Sequence, residues 1–190
     1  MAMSPGDWRK PLTALWLLAF TALLAGCGFK MPWNDDPPPT CPAVRLLQNA
    51  DTEVVYAPGA ARDPVDVRFS AKFAQLDWAC TYELEEDSPY VQVDLTINFA
   101  ITRGPADQNR QADFRYFVAA LDADRNVVDK QVFPVSIRFP PTLDRVGMPE
   151  PDSVTLRLPL SRSMPGWRYT VVAGFQLTEQ ELEEQRAKSR

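Results

Sequence analysis

Alternation of apolar and polar residues is the main pattern between residues 43 and 177. It is clearest at 91–102, where six apolar side chains recur at every second position: Val91, Val93, Leu95, Ile97, Phe99 and Ile101. The residues between them are mostly polar. A period of two places successive side chains on opposite faces of a strand, so this segment is predicted to be a strand with one buried face.

Shorter segments with the same period predict the other strands. They lie at 43–47, 52–57, 65–73 with a continuation at 78–82, 114–121, 127–132, 133–139, 154–160 and 168–177. Turn-forming residues separate them, and Pro134 indicates an edge strand or a bulge. Beside the long segment 91–102, these seven or eight short strands and the 18 prolines predict an all-β, antiparallel β-sandwich of immunoglobulin-like architecture. The likeness is architectural only, because the cysteine–tryptophan–cysteine core pattern of antibody domains is missing.

The C-terminal segment changes period. Thr178 and Glu181 have the spacing of a capping box, which predicts a short helix from Glu179 to about Lys188. Leu182 is its only large apolar residue, so we expect a charged, solvated tail. The alternative is a docking segment for another envelope protein.

The N-terminal segment has the organisation of an export signal. Arg9 and Lys10 precede an uncharged apolar stretch of about 13 residues, 12–24, which is too short to span a bilayer. It ends in Leu24-Ala25-Gly26-Cys27. This resembles the type II signal peptide of bacterial lipoproteins; an ordinary secretory signal or a short membrane anchor is the alternative.

The resemblance implies cleavage between Gly26 and Cys27, with diacylglycerol on the Cys27 thiol and an acyl chain on its amine. Gly28 replaces the Asp associated with inner-membrane retention, which favours the outer membrane with the domain facing the periplasm; the inner membrane and the cell surface stay open. The division is a signal peptide at 1–26, a lipidated tether at 27–40, the sandwich at 41–177 and the charged helix or tail at 178–190. With the run 174–178, Gly-Phe-Gln-Leu-Thr, before a charged tail, the body is similar to small Gram-negative envelope lipoproteins of unassigned function, which implies no catalytic residues.

The cysteines follow from this assignment. With Cys27 given to lipid, Cys41 and Cys80 remain, and two thiols in an oxidising compartment are expected to pair. The bond would close a loop of about 40 residues, worth about 4 kcal/mol on the chain-entropy view. Two free thiols or two metal ligands are the alternatives, although two cysteines without histidine make a poor metal site.

Composition narrows the function classes. The formal net charge of −5 argues against a nucleic-acid partner and against electrostatic binding to anionic lipid. The chain has no histidine, which removes Ser-His-Asp and Cys-His catalysis and histidine-ligated zinc. We therefore expect no enzyme activity, no metal, and no cofactor beyond the covalent lipid on Cys27.

Three residue groups could carry chemistry, each with a plainer interpretation. Asp122, Asp124 and Asn126 have the spacing of a calcium loop but lack its glycine and its final Glu, so a turn is favoured. The acidic run Glu83, Glu85, Glu86 and Asp87 is favoured as a solvated loop over a glycosidase-like pair. Neither Ser161 nor Ser163 has a base nearby in sequence. The aromatics Trp78, Tyr82, Tyr90, Tyr116 and Trp167 could line a binding surface but are expected mostly in the core.

The resulting prediction is a lipid-anchored outer-membrane lipoprotein with a non-catalytic domain. That domain is expected to bind or support another envelope component, foremost a protein. A glycan- or lipid-binding module is the alternative, and a carboxylate-based hydrolase is the weakest hypothesis. Two or more of the aromatics in one concave surface patch would favour the alternative.

Overall fold

The computed structural model describes residues 39–84, 87–148 and 151–188, and strands dominate these ranges. The predicted signal peptide, the lipidation site Cys27 and the tether up to residue 38 lie outside the described residues. The strands are β1 (Ala43–Leu46), β2 (Thr52–Tyr56), β3 (Val67–Glu83), β4 (Tyr90–Arg103), β5 (Gln111–Leu121), β6 (Val127–Arg138), β7 (Arg145–Gly147), β8 (Asp152–Pro159) and β9 (Thr170–Phe175). Short 3-10 turns occur at Pro64–Asp66 and Gly166–Arg168, and helix α1 (Glu179–Lys188) follows β9.

Two sheets form the sandwich. Sheet A has the order β1-β9-β5-β6, and sheet B has the order β2-β3-β4, with β7 and β8 pairing successive parts of β4. Only the β1–β9 pair is parallel among these pairings. The predicted all-β sandwich with a short C-terminal helix is confirmed. The strand order differs from that of immunoglobulin constant domains. Those domains pair the first strand with the second, whereas here the first strand pairs with the last.

The core lies between the inner faces of the two sheets. All six alternating apolar residues of β4 are buried, as the pattern predicts. At the centre, the Phe99 ring lies 4.7 Å from the Phe73 ring, 5.1 Å from Tyr116, 5.2 Å from Phe114 and 5.5 Å from Phe175, measured between centroids. Tilted aromatic pairs at these separations each stabilise by about 1 kcal/mol beyond the area they bury. This cluster joins side chains from both sheets.

Strand β3 is one strand of 17 residues, although the sequence predicted a break near 75–77. The break is a bulge, because the pairing with β4 shifts register between Phe73 and Gln75. An extra residue reverses which parity faces inward. Phe69 and Ala71 pack in the core before the bulge, and Leu76 and Cys80 pack against it afterwards. The sequence shows that the apolar positions change from odd to even numbers along this segment, but the bulge that causes the change is seen only in the pairing with β4.

Other strand limits differ from the prediction in local ways. Residues 127–138 form one strand, β6, which lies at the edge of sheet A and accommodates Pro134 as predicted. The three-residue β7 lies between the predicted strands 133–139 and 154–160, where the alternation predicted none. Strand β9 begins only at Thr170, because Gly166–Arg168 form a 3-10 turn just before it.

The start of β1 is linked to the opposite sheet. The sulfur atoms of Cys41 and Cys80 lie at bonding distance, 1.97 Å, with their Cα atoms 5.9 Å apart, which fits the predicted disulfide. The Tyr82 hydroxyl also donates to the Thr40 carbonyl at 2.6 Å. At the far end of the same segment, the Phe73 amide donates to the Asp51 carbonyl at 3.3 Å. Residues 40–51 therefore close one side of the sandwich.

Helix α1 begins with the predicted capping box. The Thr178 amide donates to the Glu181 carboxylate at 2.8 Å, and the Glu181 amide donates to the Thr178 hydroxyl at 3.3 Å. The helix contacts the β2 region through the Arg62–Glu184 ion pair and a hydrogen bond from the Gln185 side chain to the Thr52 carbonyl. Across the part of the chain that the structure describes, no helix has the length and hydropathy needed to cross a membrane.

Candidate functional site

The outer face of sheet A carries apolar side chains between two cations. Reading across the strands, the register aligns Arg45 on β1, Val172 on β9, Ala119 on β5 and Lys130 on β6. Val172 is only 6% exposed although it faces away from the main core, and with Ala119 and Phe117 it forms a separate apolar cluster. Flexible stems of arginine and lysine can cover such surface while their charges stay in water.

A cavity of about 710 Å³ lies on this face, within the size range of small-molecule sites. We call it the arginine groove. Three parts of the chain form it: the end of β1 with the turn that follows, the β5–β6 turn, and the start of β9 together with Arg168 just before that strand. Its lining residues are Arg45, Leu46, Leu47, Gln48, Leu121, Asp122, Ala123, Arg125, Arg168, Thr170 and Val172.

Positive charge dominates the groove. Three arginines are among its lining residues, Arg45, Arg125 and Arg168, against a single acidic residue, Asp122. One Arg168 nitrogen donates to the Ser163 carbonyl at 2.8 Å, which holds that side chain in place. Arg125 has a φ of 66°, a left-handed conformation uncommon outside glycine. The β5–β6 turn therefore determines where its side chain leaves the backbone.

The Asp122 carboxylate is engaged by its own turn. Its Oδ1 accepts hydrogen bonds from the amides of Asp124 at 2.9 Å and Asn126 at 2.8 Å, and its Oδ2 accepts one from the Asn126 side chain at 3.0 Å. The Asn126 side chain, followed by its backbone amide, lowers the pKa of Asp122 below its usual range. The residues with calcium-loop spacing thus form a hydrogen-bonded turn, the favoured interpretation, and no cluster of three metal-ligand side chains occurs among the described residues.

The aromatic residues do not gather in one cavity. Tyr116 is buried in the core, where its hydroxyl donates to Asp152 at 2.7 Å. Burial, with that hydrogen bond second, raises the pKa of Tyr116 well above its usual range. Trp78 is 49% exposed and Trp167 is 61% exposed. Neither lines the arginine groove, but Trp167 directly precedes Arg168, whose guanidinium lies 5.9 Å from the indole.

The remaining sequence candidates form turns or exposed surface. Glu83 and Asp87 are exposed, and Glu85 and Glu86 lie outside the described residues. The hydroxyls of Ser161 and Ser163 are 3.1 Å apart, and that of Ser161 also accepts from the Met164 amide at 3.0 Å. These serine contacts build a turn rather than a nucleophile–base pair.

No family model, no curated protein and no solved structure matches this chain.

A second, smaller cavity provides a comparison for the arginine groove. It lies across sheet B, has a volume of about 380 Å³, and contains two cations, Lys72 and Arg145, beside the hydroxyls of Thr52, Ser70 and Thr102. No leucine or valine lines it. Its two cationic side chains are therefore suitable controls for experiments on the groove.

Sequence reasoning missed both the arginine groove and a buried carboxylate, Glu53. The three arginines are separated by 80 and 43 positions in the chain, and no local pattern joins them. Glu53 lies in a short predicted strand and gave no signal, yet it is 8% exposed and its Oε2 is buried without a hydrogen-bond partner among the described residues. The one sign in the sequence is a charged residue at a position that the β2 alternation directs inward. In the structure this residue pairs with buried Ala71.

Proposed function

We propose that this protein is a lipoprotein anchored in the outer membrane through acylated Cys27, and that its periplasmic sandwich binds another envelope component without catalysis. The run Leu24-Ala25-Gly26-Cys27 at the end of the apolar stretch supports the anchor, and the absence of histidine from the sequence supports a non-catalytic role. The observation that carries the binding role is the arginine groove, a cavity of about 710 Å³ with three arginines among its lining residues.

The connection to the anchor supports a binding role close to the membrane. Residues 39–42 lead directly into β1, and Ala43, its first residue, is the register partner of Thr170, which lines the arginine groove. The Cys41–Cys80 disulfide holds this part of the chain against sheet B. A tether joined here places the groove within a few residues of the point where the anchored segment meets the domain.

The second candidate is an envelope protein that binds along an unpaired edge of β3. We call the stretch from residue 74 to the end of this strand the free part of β3. Beyond residue 73, β3 pairs only with β4 among the described strands, and half-exposed Trp78 lies on this stretch. An unpaired strand edge can accept an extended segment of another protein through main-chain hydrogen bonds.

Replacement of Cys27 tests the anchor. Cys27→Ala should abolish incorporation of labelled fatty acid and release the protein from membranes, because two or more acyl chains are needed for stable anchoring. The matched control is the double variant Cys41→Ser/Cys80→Ser, which should still be labelled. Retention of Cys27→Ala in the membrane at the wild-type level would contradict the anchor.

Site-specific crosslinking in intact cells tests the binding surface. A photoreactive amino acid at Leu47 reports on the arginine groove, one at Trp78 reports on the free part of β3, and one at exposed Val65 measures background. We expect products at Leu47 above those at Val65, and a protein adduct at Trp78 if the second candidate is right. Equal labelling at all three positions would refute a binding role for either surface.

A further inference from the structure

We propose that the arginine groove binds the headgroup of an anionic membrane lipid, with the phosphate held by arginines and the adjoining apolar part of the lipid against the groove's aliphatic residues. This inference rests on the proposed binding function and specifies its ligand. It also revises the expectation from net charge that the domain does not bind anionic lipid, because the charge is unevenly distributed.

The charge of the groove matches a phosphate group. Arginine binds phosphate with paired hydrogen bonds from a planar guanidinium, and three arginines are among the lining residues of the cavity. The lining has one carboxylate, Asp122, whose three hydrogen bonds lie within its own turn. Three arginines against this one carboxylate make the cavity locally cationic on a chain whose formal net charge is −5.

The apolar lining indicates a ligand larger than a phosphate ion. Leu47, which is 41% exposed, Leu121 and Val172 lie beside the arginines. A cavity of about 710 Å³ leaves room for the glycerol and the first part of an acyl chain. Exposed leucine next to arginine matches an amphiphile with charge at one end and hydrocarbon at the other.

The surroundings of the groove have the character of a membrane-contacting surface. Trp167, which precedes the groove residue Arg168, is the most exposed tryptophan among the described residues. Tryptophan is favoured at membrane interfaces because its ring is apolar while its N–H stays hydrated. Together with the anchored segment that leads into β1, this places a basic, aromatic surface beside the part of the domain tied to the bilayer.

Calorimetric titration of the purified full-length chain tests the proposal. The probes are dihexanoyl phosphatidylglycerol below its micelle concentration, dihexanoyl phosphatidylcholine and inorganic phosphate. We expect binding of the phosphatidylglycerol to be tightest, and to weaken as ionic strength is raised from about 0.05 to about 0.2 M, because salt screens exposed charges. Phosphatidylcholine keeps the phosphate but adds a quaternary ammonium that the arginines repel, and inorganic phosphate lacks the apolar part of the lipid. Each of these two probes should therefore bind at least about tenfold more weakly.

Variants assign the binding to the groove. Arg45→Gln/Arg125→Gln/Arg168→Gln should weaken phosphatidylglycerol binding by about a hundredfold if two of the arginines contact the phosphate and by about a thousandfold if all three do, at roughly tenfold for each charge-assisted contact. The control Lys72→Gln/Arg145→Gln removes two cations from the other cavity and should stay within about twofold of wild type, since neither residue lines the groove. If the triple variant fails to fold, Arg45→Gln alone should still show its tenfold loss.

Four results would overturn the proposal: equal binding of phosphatidylcholine, equal binding of inorganic phosphate, an equal loss in the control variant, or tighter binding of a short polyglutamate peptide. The lipid ligand and the proposed binding function are refuted by different results. Crosslinking at Leu47 without phosphatidylglycerol binding would reject only the lipid ligand, whereas labelling at Leu47 no greater than at Val65 would reject the groove as a binding site.

Discussion

Replacing Glu53 should stabilise the protein at neutral and alkaline pH. Glu53 lies on β2 opposite buried Ala71, and only 8% of it is exposed. Burial raises its pKa to about 7, from an ordinary value of 4.5, and repulsion from Glu181 on α1 adds to the effect. The folded protein therefore binds a proton at Glu53 more tightly than the unfolded chain does.

The size and sign of the effect follow from that pKa. A difference between 4.5 and about 7 corresponds to about 3 kcal/mol at 1.36 kcal/mol for each pH unit. Because the pKa is raised on folding, this stability is fully present below about pH 4.5 and is lost as the pH rises through about 7. Asp94, Asp113 and Asp122 have lowered pKa values and act in the opposite direction, but only in the acid range where they become protonated.

Urea unfolding between about pH 5 and pH 8 measures the effect. The free energy of unfolding of the wild type should fall across this range, whereas that of Glu53→Gln should change little. At about pH 8, Glu53→Gln should be up to about 3 kcal/mol more stable than the wild type. Exposed Glu83→Gln is the control and should keep the wild-type slope. The reasoning is refuted if Glu53→Gln retains that slope, or if Glu83→Gln removes it.

Three further predictions concern the stability of the sandwich. Reducing the Cys41–Cys80 bond, which spans 39 positions, should cost up to about 4 kcal/mol and lower the melting temperature by roughly 10 °C, measured with and without reductant; an unchanged melting temperature would contradict a stabilising role for the bond. Gly104→Ala should destabilise by about 1–3 kcal/mol in urea unfolding, since its Cβ would lie 2.1 Å from a backbone carbonyl oxygen of β3. Gly147→Ala, whose nearest contact is 3.7 Å, is the control and should be neutral or slightly stabilising; equal losses would contradict the steric reason. Thr178→Ala should cost α1 about 1 kcal/mol and speed amide exchange there, whereas exchange equal to wild type would contradict the cap.

The strands and the helix were predictable because their signals are local. The alternation in β4 reports which face is buried, and the spacing of Thr178 and Glu181 reports where α1 begins, without reference to the rest of the chain. The bulge in β3 was visible only as a change of parity, since its cause is the pairing with β4. The start of β9 was placed too early because the 3-10 turn before it has no period of its own.

The candidate site was not predictable in the same way. The net charge is a total over all residues and carries no information about where the charges lie. It therefore gave no sign of the basic cavity that Arg45, Arg125 and Arg168 line. Those residues meet because β1 pairs with β9, and β9 pairs with β5, which ends in the turn that holds Arg125. Pairing between strands so distant in sequence leaves no signature in the spacing of these residues.

By itself, the sequence determined the strand faces, the helix cap, the absence of histidine chemistry and the prediction of an anchor at Cys27. These depend on residue type and on neighbours a few positions away, where backbone geometry sets the period. The tertiary structure alone decided the strand order, the burial of Glu53 and the arginine groove. Each of these depends on contacts between residues far apart in the chain. Those contacts, and which side chains stay exposed to solvent, are established only when the strands pair and the two sheets pack.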